Sequence, residues 1–477
     1  MKYSYLRLLG YGLAGIGLTL ALPSFYFWPA GLFALAWLFA AIKAGRPVKA
    51  AAWMGAAHYL TSLYWLPQAL YIDSGENLWV GVLVGIPALC GVALALTLLL
   101  VLVVWLTARL PRWLHGPGFI AGMLALEGLR HLPPIQFPWN PVGLMFAGHD
   151  ILLQGAALAG IFGLSALALL TAVLLTGCIR QQLLALVLVG GLAVYGALRL
   201  DAAPGLEAQA TQFSVRLVQG NVSTAHSWTP ERRADFLNRY IRLSETDADV
   251  DLILWPETAV AYAVARDPAL RQRLARLLSP PQKLGLGFLR VQRGQDSERQ
   301  IFNSFAFLDA EGAFGPVYDK HVLVPFGEAL PFPTLTESFL RTLSFNRSAY
   351  TPGTQPAHLK LTAEATALPL ICYEVAFGFY VQEQQTNQTF LLNVTNDTWF
   401  DGTTAPAQHF ALARVQAVAT GLPLVRVANS GISAVTDGYG RIIARLPVEQ
   451  AGALNADVPV PVKDMPPALL SLINERL

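Results

Sequence analysis

Charge is scarce in this 477-residue chain: 13% of its residues are Asp, Glu, Lys or Arg, against 54% hydrophobic. With a mean hydropathy of +0.45, a single water-soluble globule is excluded and a membrane protein is the first inference. Neither sign dominates, since 33 basic residues meet 31 acidic ones for a net charge of +2. There is no basic field for nucleic acid, and that partner is set aside. Cysteine is scarce too. Cys90, Cys178 and Cys372 are far apart and have no metal-ligand spacing, so neither a disulfide framework nor a zinc site follows. The sequence also lacks a Walker loop, a Gly-rich dinucleotide turn and an HExxH. Nothing calls for a cofactor or a metal, and any catalysis falls to side chains.

What the chain has instead, from Leu6 to Leu200, is a series of apolar runs. A hydrocarbon core of ~30 Å takes about 20 residues of helix. About seven spans are expected: Leu6 to Leu22, Phe25 to Ile42, Ala50 to Leu66, Leu78 to Leu106, Gly118 to His131, Ile151 to Ile179 and Leu183 to Leu198. A second apolar run follows the first almost at once, which argues against a cleaved signal peptide. Lys2, Arg7, Lys43, Arg46, Lys49, Arg109, Arg112 and Arg180 fall on one side of this count. Asp73, Glu76, His149 and Asp150 fall on the other, with Arg130 the one dissenting base. The positive-inside bias puts the N-terminus in the cytoplasm, and an odd number of spans delivers the rest of the chain to the outside. Glu127, one turn from Arg130, reads as half of a local ion pair at headgroup level, not as a transport site.

After Asp201-Ala202-Ala203-Pro204-Gly205 the pattern changes to apolar strand runs alternating with charged helical runs. Strand candidates include Phe213 to Gln219, Asp251 to Trp255, Lys283 to Leu289, Phe302 to Leu308, Ala367 to Ile371, Phe390 to Val394, Leu424 to Ala428 and Ile442 to Leu446. Helix candidates are Glu231 to Glu245, Ala265 to Leu278, Val375 to Gln385 and Ala407 to Thr420. Such alternation implies an α/β sandwich with mixed sheets. The expected domains are 1–204, a membrane domain; 205–460, a catalytic domain; and 461–477, a tail too short to span a bilayer.

Four strand ends carry unusual polar groups. Pro256 stops one strand and leaves Glu257 at its rim. Tyr318-Asp319-Lys320-His321 leads into Val322 to Gly327, read as another apolar strand, and then Glu328. Ile371-Cys372-Tyr373-Glu374 follows a buried-looking strand, and Thr395-Asn396-Asp397-Thr398-Trp399-Phe400 follows another. Taken singly each has a plain reading: a helix-cap acid, a surface ammonium, a buried structural thiol, ordinary turn-formers. In open α/β sheets, however, the carboxyl ends of strands line the ligand crevice, and a thiol there can meet groups from neighbouring strands.

Trp255-Pro256-Glu257, Asp319-Lys320 before Pro325-Phe326-Gly327-Glu328, and Ile371-Cys372-Tyr373-Glu374 resemble the Glu, Lys, Cys series of the nitrilase (carbon-nitrogen hydrolase) superfamily. With the membrane half, Gln219-Gly220-Asn221, Asn396 to Phe400 and Asn429-Ser430-Gly431, nearly the whole chain resembles the apolipoprotein N-acyltransferase family. Asp401 departs from the family's pattern, standing where a Gly is expected after Trp-Phe. The resemblance implies a polytopic helical membrane domain plus a nitrilase-like αββα sandwich. It makes Cys372 the nucleophile, Glu257 the general base and Lys320 the stabiliser of the charged intermediate, with Glu328, Tyr373, Glu374 and Trp228 as supporting residues.

The reaction it implies moves an acyl chain from a phospholipid to the α-amine of the diacylglyceryl cysteine of an apolipoprotein, through a thioester, at the bacterial inner membrane. The nearest rival is a membrane-anchored amidase, in which water resolves the thioester. A membrane half far larger than a tether needs speaks against it. The apolar arm from Leu330 to Tyr350 reads either as core or as a lid dipping into the outer leaflet.

Overall fold

The computed structural model describes residues 2–222, 229–260, 264–293, 299–325, 327–329 and 350–462. Trp228, the arm at 330–349 and the tail beyond 462 lie outside the described residues. The first half is helical: α1 (Lys2–Leu20), α2 (Trp28–Lys43), α3 (Pro47–Ser62), a short α4 (Leu66–Asp73), α5 (Leu78–Arg109), α6 (His115–Leu129), a single turn α7 (Asp150–Leu153), α8 (Ala156–Leu175) and α9 (Ile179–Asp201). By length and composition α5, α8 and α9 can each cross a membrane, and Tyr5–Leu20 and Trp28–Lys43 are shorter apolar helices. Leu98, Leu102, Leu186, Val187 and Val194 face outward, a surface suited to hydrocarbon and not to water.

Two expectations change here. The run Ile151 to Ile179 is not one helix: α7 ends at Leu153, and inside α8 the backbone leaves helical geometry at Ala159 and Gly160. Gln154, at the first break, donates to the carbonyl of Tyr439 (3.0 Å), so a side chain in an apolar run ties the two halves together. Glu127 and Arg130 do not pair with each other. Glu127 accepts the N–H of Val142 (2.7 Å), while Arg130 donates to the carbonyls of Phe137 (2.9 Å) and Trp139. Both side chains satisfy the backbone of an irregular loop, which unpaired groups could not survive in an apolar setting.

The second half holds β1 (Thr211–Gln219), α10 (Pro230–Ser244), β2 (Leu252–Leu254), α11 (Pro268–Ala275), β3 (Lys283–Arg293), β4 (Arg299–Leu308), β5 (Phe314–Asp319), β6 (Leu359–Lys360) and β7 (Thr366–Ile371). It continues with α12 (Gly378–Gln384), β8 (Phe390–Thr395), α13 (Ala405–Thr420), β9 (Leu424–Ala428), β10 (Ala434–Thr436), β11 (Ile442–Arg445) and β12 (Gly452–Pro459).

The strands form two sheets, ordered β12-β1-β2-β3-β4-β5 and β11-β10-β9-β8-β7-β6. Each has a parallel central trio, β1-β2-β3 or β7-β8-β9, flanked by antiparallel strands. Side-chain alternation decides the layers. On β2, Leu252 and Leu254 join the core between the sheets, while Ile253 and the following Trp255 join the core under α10 and α11. Phe213 on β1 meets Phe390 on β8 across the interface at 4.8 Å between rings. Helix α13 covers the other sheet and also packs on α8 of the membrane half, so it is buried along nearly its whole circumference. Val322 to Val324, expected as part of a strand, are irregular, with one isolated bridge between Pro325 and Ala329.

Candidate active site

Glu257, Lys320 and Cys372 each follow the end of a strand, β2, β5 and β7. Pro256 ends β2 and sends the chain over β3 at Gly287, where the absence of a Cβ lets the Pro256–Thr258 turn lie against the sheet. Cys372 begins a tight 3₁₀ turn, Cys372–Ala376, and has a left-handed backbone, φ +54°. For a residue bearing a Cβ this costs about 1–2 kcal/mol, so surrounding contacts must hold it. Glu374 supplies some of them. Its carboxylate accepts the N–H groups of Ile371 (2.7 Å), His321 (2.7 Å) and Val322 (3.1 Å) and the hydroxyl of Tyr318 (3.0 Å). One buried acid thus ties the cysteine turn to the lysine turn.

The Lys320 ammonium, 1% exposed, lies 2.8 Å from Glu328 Oε2 and 3.6 Å from Glu257 Oε1. Glu257 accepts from Asn303 Nδ2 (2.6 Å) and from the N–H of Asn396 (2.8 Å), and Asn303 also reaches Glu328 (3.3 Å). Burial acts to lower the Lys320 pKa, but Glu328 and Glu257 outweigh it and hold the ammonium charged. Burial raises the Glu257 pKa, Lys320 opposes this, and the like charge of Glu328 adds to it. Burial, helped by the nearby Glu328 charge, thus outweighs Lys320 and leaves Glu257 with a high proton affinity. The Cys372 thiol is pushed up by burial and then by the Glu257 carboxylate, while Lys320 and a hydrogen bond with Thr395 pull it down. At rest it is a thiol.

Among the other expected site residues, Glu328 is the main counter-charge of Lys320. Glu374 is a structural clamp. Tyr373 stacks on Trp139, with ring centroids 6.1 Å apart, and donates to the carbonyl of Gln136 (2.7 Å), so the Cys372 turn rests on the membrane half. Trp228 lies outside the described residues.

Sequence reasoning passed over Asn303, Asn393, His409 and Arg426. Each is a polar residue embedded in an apolar strand or helix and fully or almost fully buried. That pattern was the available signal. No group of three or more His, Cys, Asp or Glu side chains placed to hold a metal occurs among the described residues.

Residues 214–463 match the family model described as carbon-nitrogen hydrolase. An amidase of the nitrilase superfamily from Nesterenkonia AN1 aligns with 56% of this chain and 98% of its own, at 19% identity and a TM-score of 0.40. The extent of the family match defines the class: a carbon-nitrogen hydrolase domain carried on membrane helices. Residues 14–174 match the family model described as the apolipoprotein N-acyltransferase N-terminal domain. An apolipoprotein N-acyltransferase of Brucella melitensis biotype 1 is 33% identical over 95% of this chain and 90% of its own length. That of Rhodopseudomonas palustris is 31% identical over 94% and 89%. The chain belongs to the apolipoprotein N-acyltransferase family.

Proposed function

We propose that the chain transfers an acyl group from a phospholipid to the N-terminal α-amine of a diacylglyceryl apolipoprotein, with Cys372, Glu257 and Lys320 as the catalytic triad. The observation that carries this reading is the Glu257–Lys320–Glu328 cluster at the strand ends beside a buried cysteine. In the first half-reaction Glu257 takes the thiol proton, Cys372 Sγ bonds to the ester carbonyl carbon, and Lys320 stabilises the oxyanion. Such stabilisation is often worth about 3 kcal/mol. The carbon–oxygen bond then breaks, and Glu257 returns the proton to the departing lysophospholipid. In the second half the acceptor amine loses a proton to Glu257 and attacks the thioester, the carbon–sulfur bond breaks, and the thiolate recovers the proton. The amide product is more stable than the thioester, so the acyl group passes downhill. Water would compete, and a dry site suppresses it.

Residues 1–204 act as a transmembrane domain of about seven helices, 205–460 as the catalytic domain and 461–477 as a tail, with the N-terminus cytoplasmic and the catalytic half on the periplasmic side of the inner membrane. Lys43 Nζ donates to the carbonyl of Thr176 (2.8 Å), which brings two of the basic loops to one end of the bundle. Contacts with the catalytic half, such as Thr404 N–H to the hydroxyl of Tyr64 (3.0 Å), cluster at the other end. Both observations support this orientation.

Purified protein given phospholipid alone is expected to gain an acyl mass that hydroxylamine removes and that Cys372→Ser abolishes. Absence of the adduct under active conditions would sink the mechanism. Adding a diacylated lipopeptide then distinguishes the outcomes: acylated peptide supports transfer, and free fatty acid in its place favours an amidase-like hydrolase.

A further inference from the structure

The Asn396–Phe400 stretch contains an acid, Asp397, that the triad does not use. Its carboxylate, fully buried, lies 2.7 Å from Arg426 Nη2 and 2.9 Å from Nδ1 of His409. The opposite ring nitrogen, Nε2, is 3.1 Å from the carbonyl oxygen of Cys372. That oxygen also receives Asn393 Nδ2 (3.3 Å). Thr395, whose hydroxyl donates to Asp397 Oδ1 (3.0 Å), is also the hydrogen-bond partner of the Cys372 side chain. The network therefore meets the nucleophile twice, at its carbonyl through His409 and at its thiol through Thr395.

We propose that His409, aimed by Asp397, is a positioning residue for the nucleophile, holding the left-handed Cys372 peptide so that the thiol faces the ester carbonyl. This rests on the reading of Cys372 as acyl carrier. Three observations carry it. The backbone of Cys372 is one that L side chains rarely adopt, φ +54°, and such geometry persists only where neighbours over-determine it. Glu374 fixes the peptide one residue earlier, accepting the N–H of Ile371 (2.7 Å), and on the far side of Cys372 its carbonyl is held by His409 (3.1 Å) and Asn393 (3.3 Å).

Burial and then Arg426 hold the His409 pKa down, so the ring is neutral with one N–H: Nε2 donates it to the Cys372 carbonyl, and Nδ1 accepts from Arg426 Nη2 (3.2 Å), itself held by Asp397. The ring is 1% exposed and is covered by Trp139, centroids 5.5 Å apart, so water cannot substitute for it. Arg426 balances Asp397, whose pKa is held at about 2 by Arg426 and His409 against the effect of burial. The carboxylate therefore stays ionised at neutral pH and fixes Arg426, which in turn orients the ring.

The test uses the full-length protein in mixed micelles with a diacyl glycerophospholipid and follows the rate of acyl-Cys372 formation by intact mass. His409→Met keeps length without a donor, and His409→Gln keeps a donor. At saturating phospholipid the Met variant is expected to acylate about 100-fold more slowly, with KM for phospholipid within about threefold and an unchanged melting profile. The Gln variant is expected to regain about tenfold of that loss. A Met variant at the wild-type rate, or Gln and Met variants equally slow, overturns the proposal.

Asp397→Asn leaves the ring in place and removes what aims it. It is expected to slow acylation about tenfold at constant KM, and a wild-type rate there overturns the proposal even if the Met chain does not fold. A wild-type protein that forms no adduct overturns the thioester reading itself, and this proposal with it.

Discussion

Gly287 lies directly against Glu257: a Cβ built on Gly287 would stand 2.7 Å from the Cα of Glu257 and 2.7 Å from the N of Thr258. Those neighbours are backbone atoms and cannot swing aside. Gly287→Ala is therefore expected to push the Pro256–Thr258 turn off the sheet and carry the carboxylate away from Asn303 and Lys320. A displacement of about 1 Å at a reacting group costs on the order of 100-fold in rate. The acyl-adduct assay reads this directly, and a Gly287→Ala protein acylating at the normal rate would show that Glu257 needs no such seat.

Removing Lys320 leaves a buried carboxylate, Glu257, and a half-buried one, Glu328, with no cation between them. Lys320→Met is expected to abolish adduct formation and to destabilise the fold by about 3–5 kcal/mol. Adding Glu328→Gln to that variant deletes one of the stranded charges and should recover part of the stability without restoring activity. Thermal or denaturant unfolding of the single and double variants checks the first claim, intact mass the second. Equal stability in the two variants would mean that the carboxylates are not electrostatically coupled.

Burial lifts the Glu374 carboxyl from its ordinary 4.5 to about 7, against the pull of the Ile371 N–H, Lys320 and the N–H groups of Val322 and His321. The folded chain binds this proton more tightly than the unfolded one. The resulting stability is fully present below pH 4.5 and is lost as pH rises through about 7. The contribution is on the order of 3 kcal/mol. Glu374→Gln should flatten the fall in unfolding midpoint across that window, and an unchanged slope would assign the effect to another group.

Tyr373 reaches Gln136 with its hydroxyl while its ring lies on Trp139. Tyr373→Phe keeps the stacking and loses one neutral hydrogen bond, so it should cost about 1 kcal/mol in stability and no more than about tenfold in acylation rate. Tyr373→Ala, which also removes the ring, should cost much more in both. Equal loss in the two would mean that the hydroxyl touches the reacting groups.

The strands that end in Glu257, Cys372 and Asn396 were legible because each is a compact apolar run cut off by a residue that cannot continue it. β12 was not, since Gly452–Pro459 is mostly half exposed along its edge position beside β1 and carries little apolar periodicity. β5 hid behind Gly315 and Pro316, which a sheet tolerates at this edge. Val322 to Val324 misled in the opposite direction: apolar side chains there serve a turn whose N–H groups are taken by Glu374 and Glu328. Asn303 and His409 show in the sequence only as polar residues within apolar runs; the groups they meet lie 46 and 37 positions away, and periodicity carries no such information.

Helix α13 has a consequence for handling this protein. In a free-standing αββα enzyme the outer helices keep a wet face. Here the corresponding face of α13 is closed by α8 and by the segments before it, with Arg414 bonded to Asp150 of α7 (2.5 Å) and Gln408 to Trp139 in the loop after α6 (2.7 Å). A fragment cut at residue 205 to obtain a soluble enzyme would bare that strip and the underside of Tyr373 together. Expression of the catalytic half alone should accordingly yield aggregate, and recovering it would take a redesigned α13 with polar residues on the face that now meets the membrane helices.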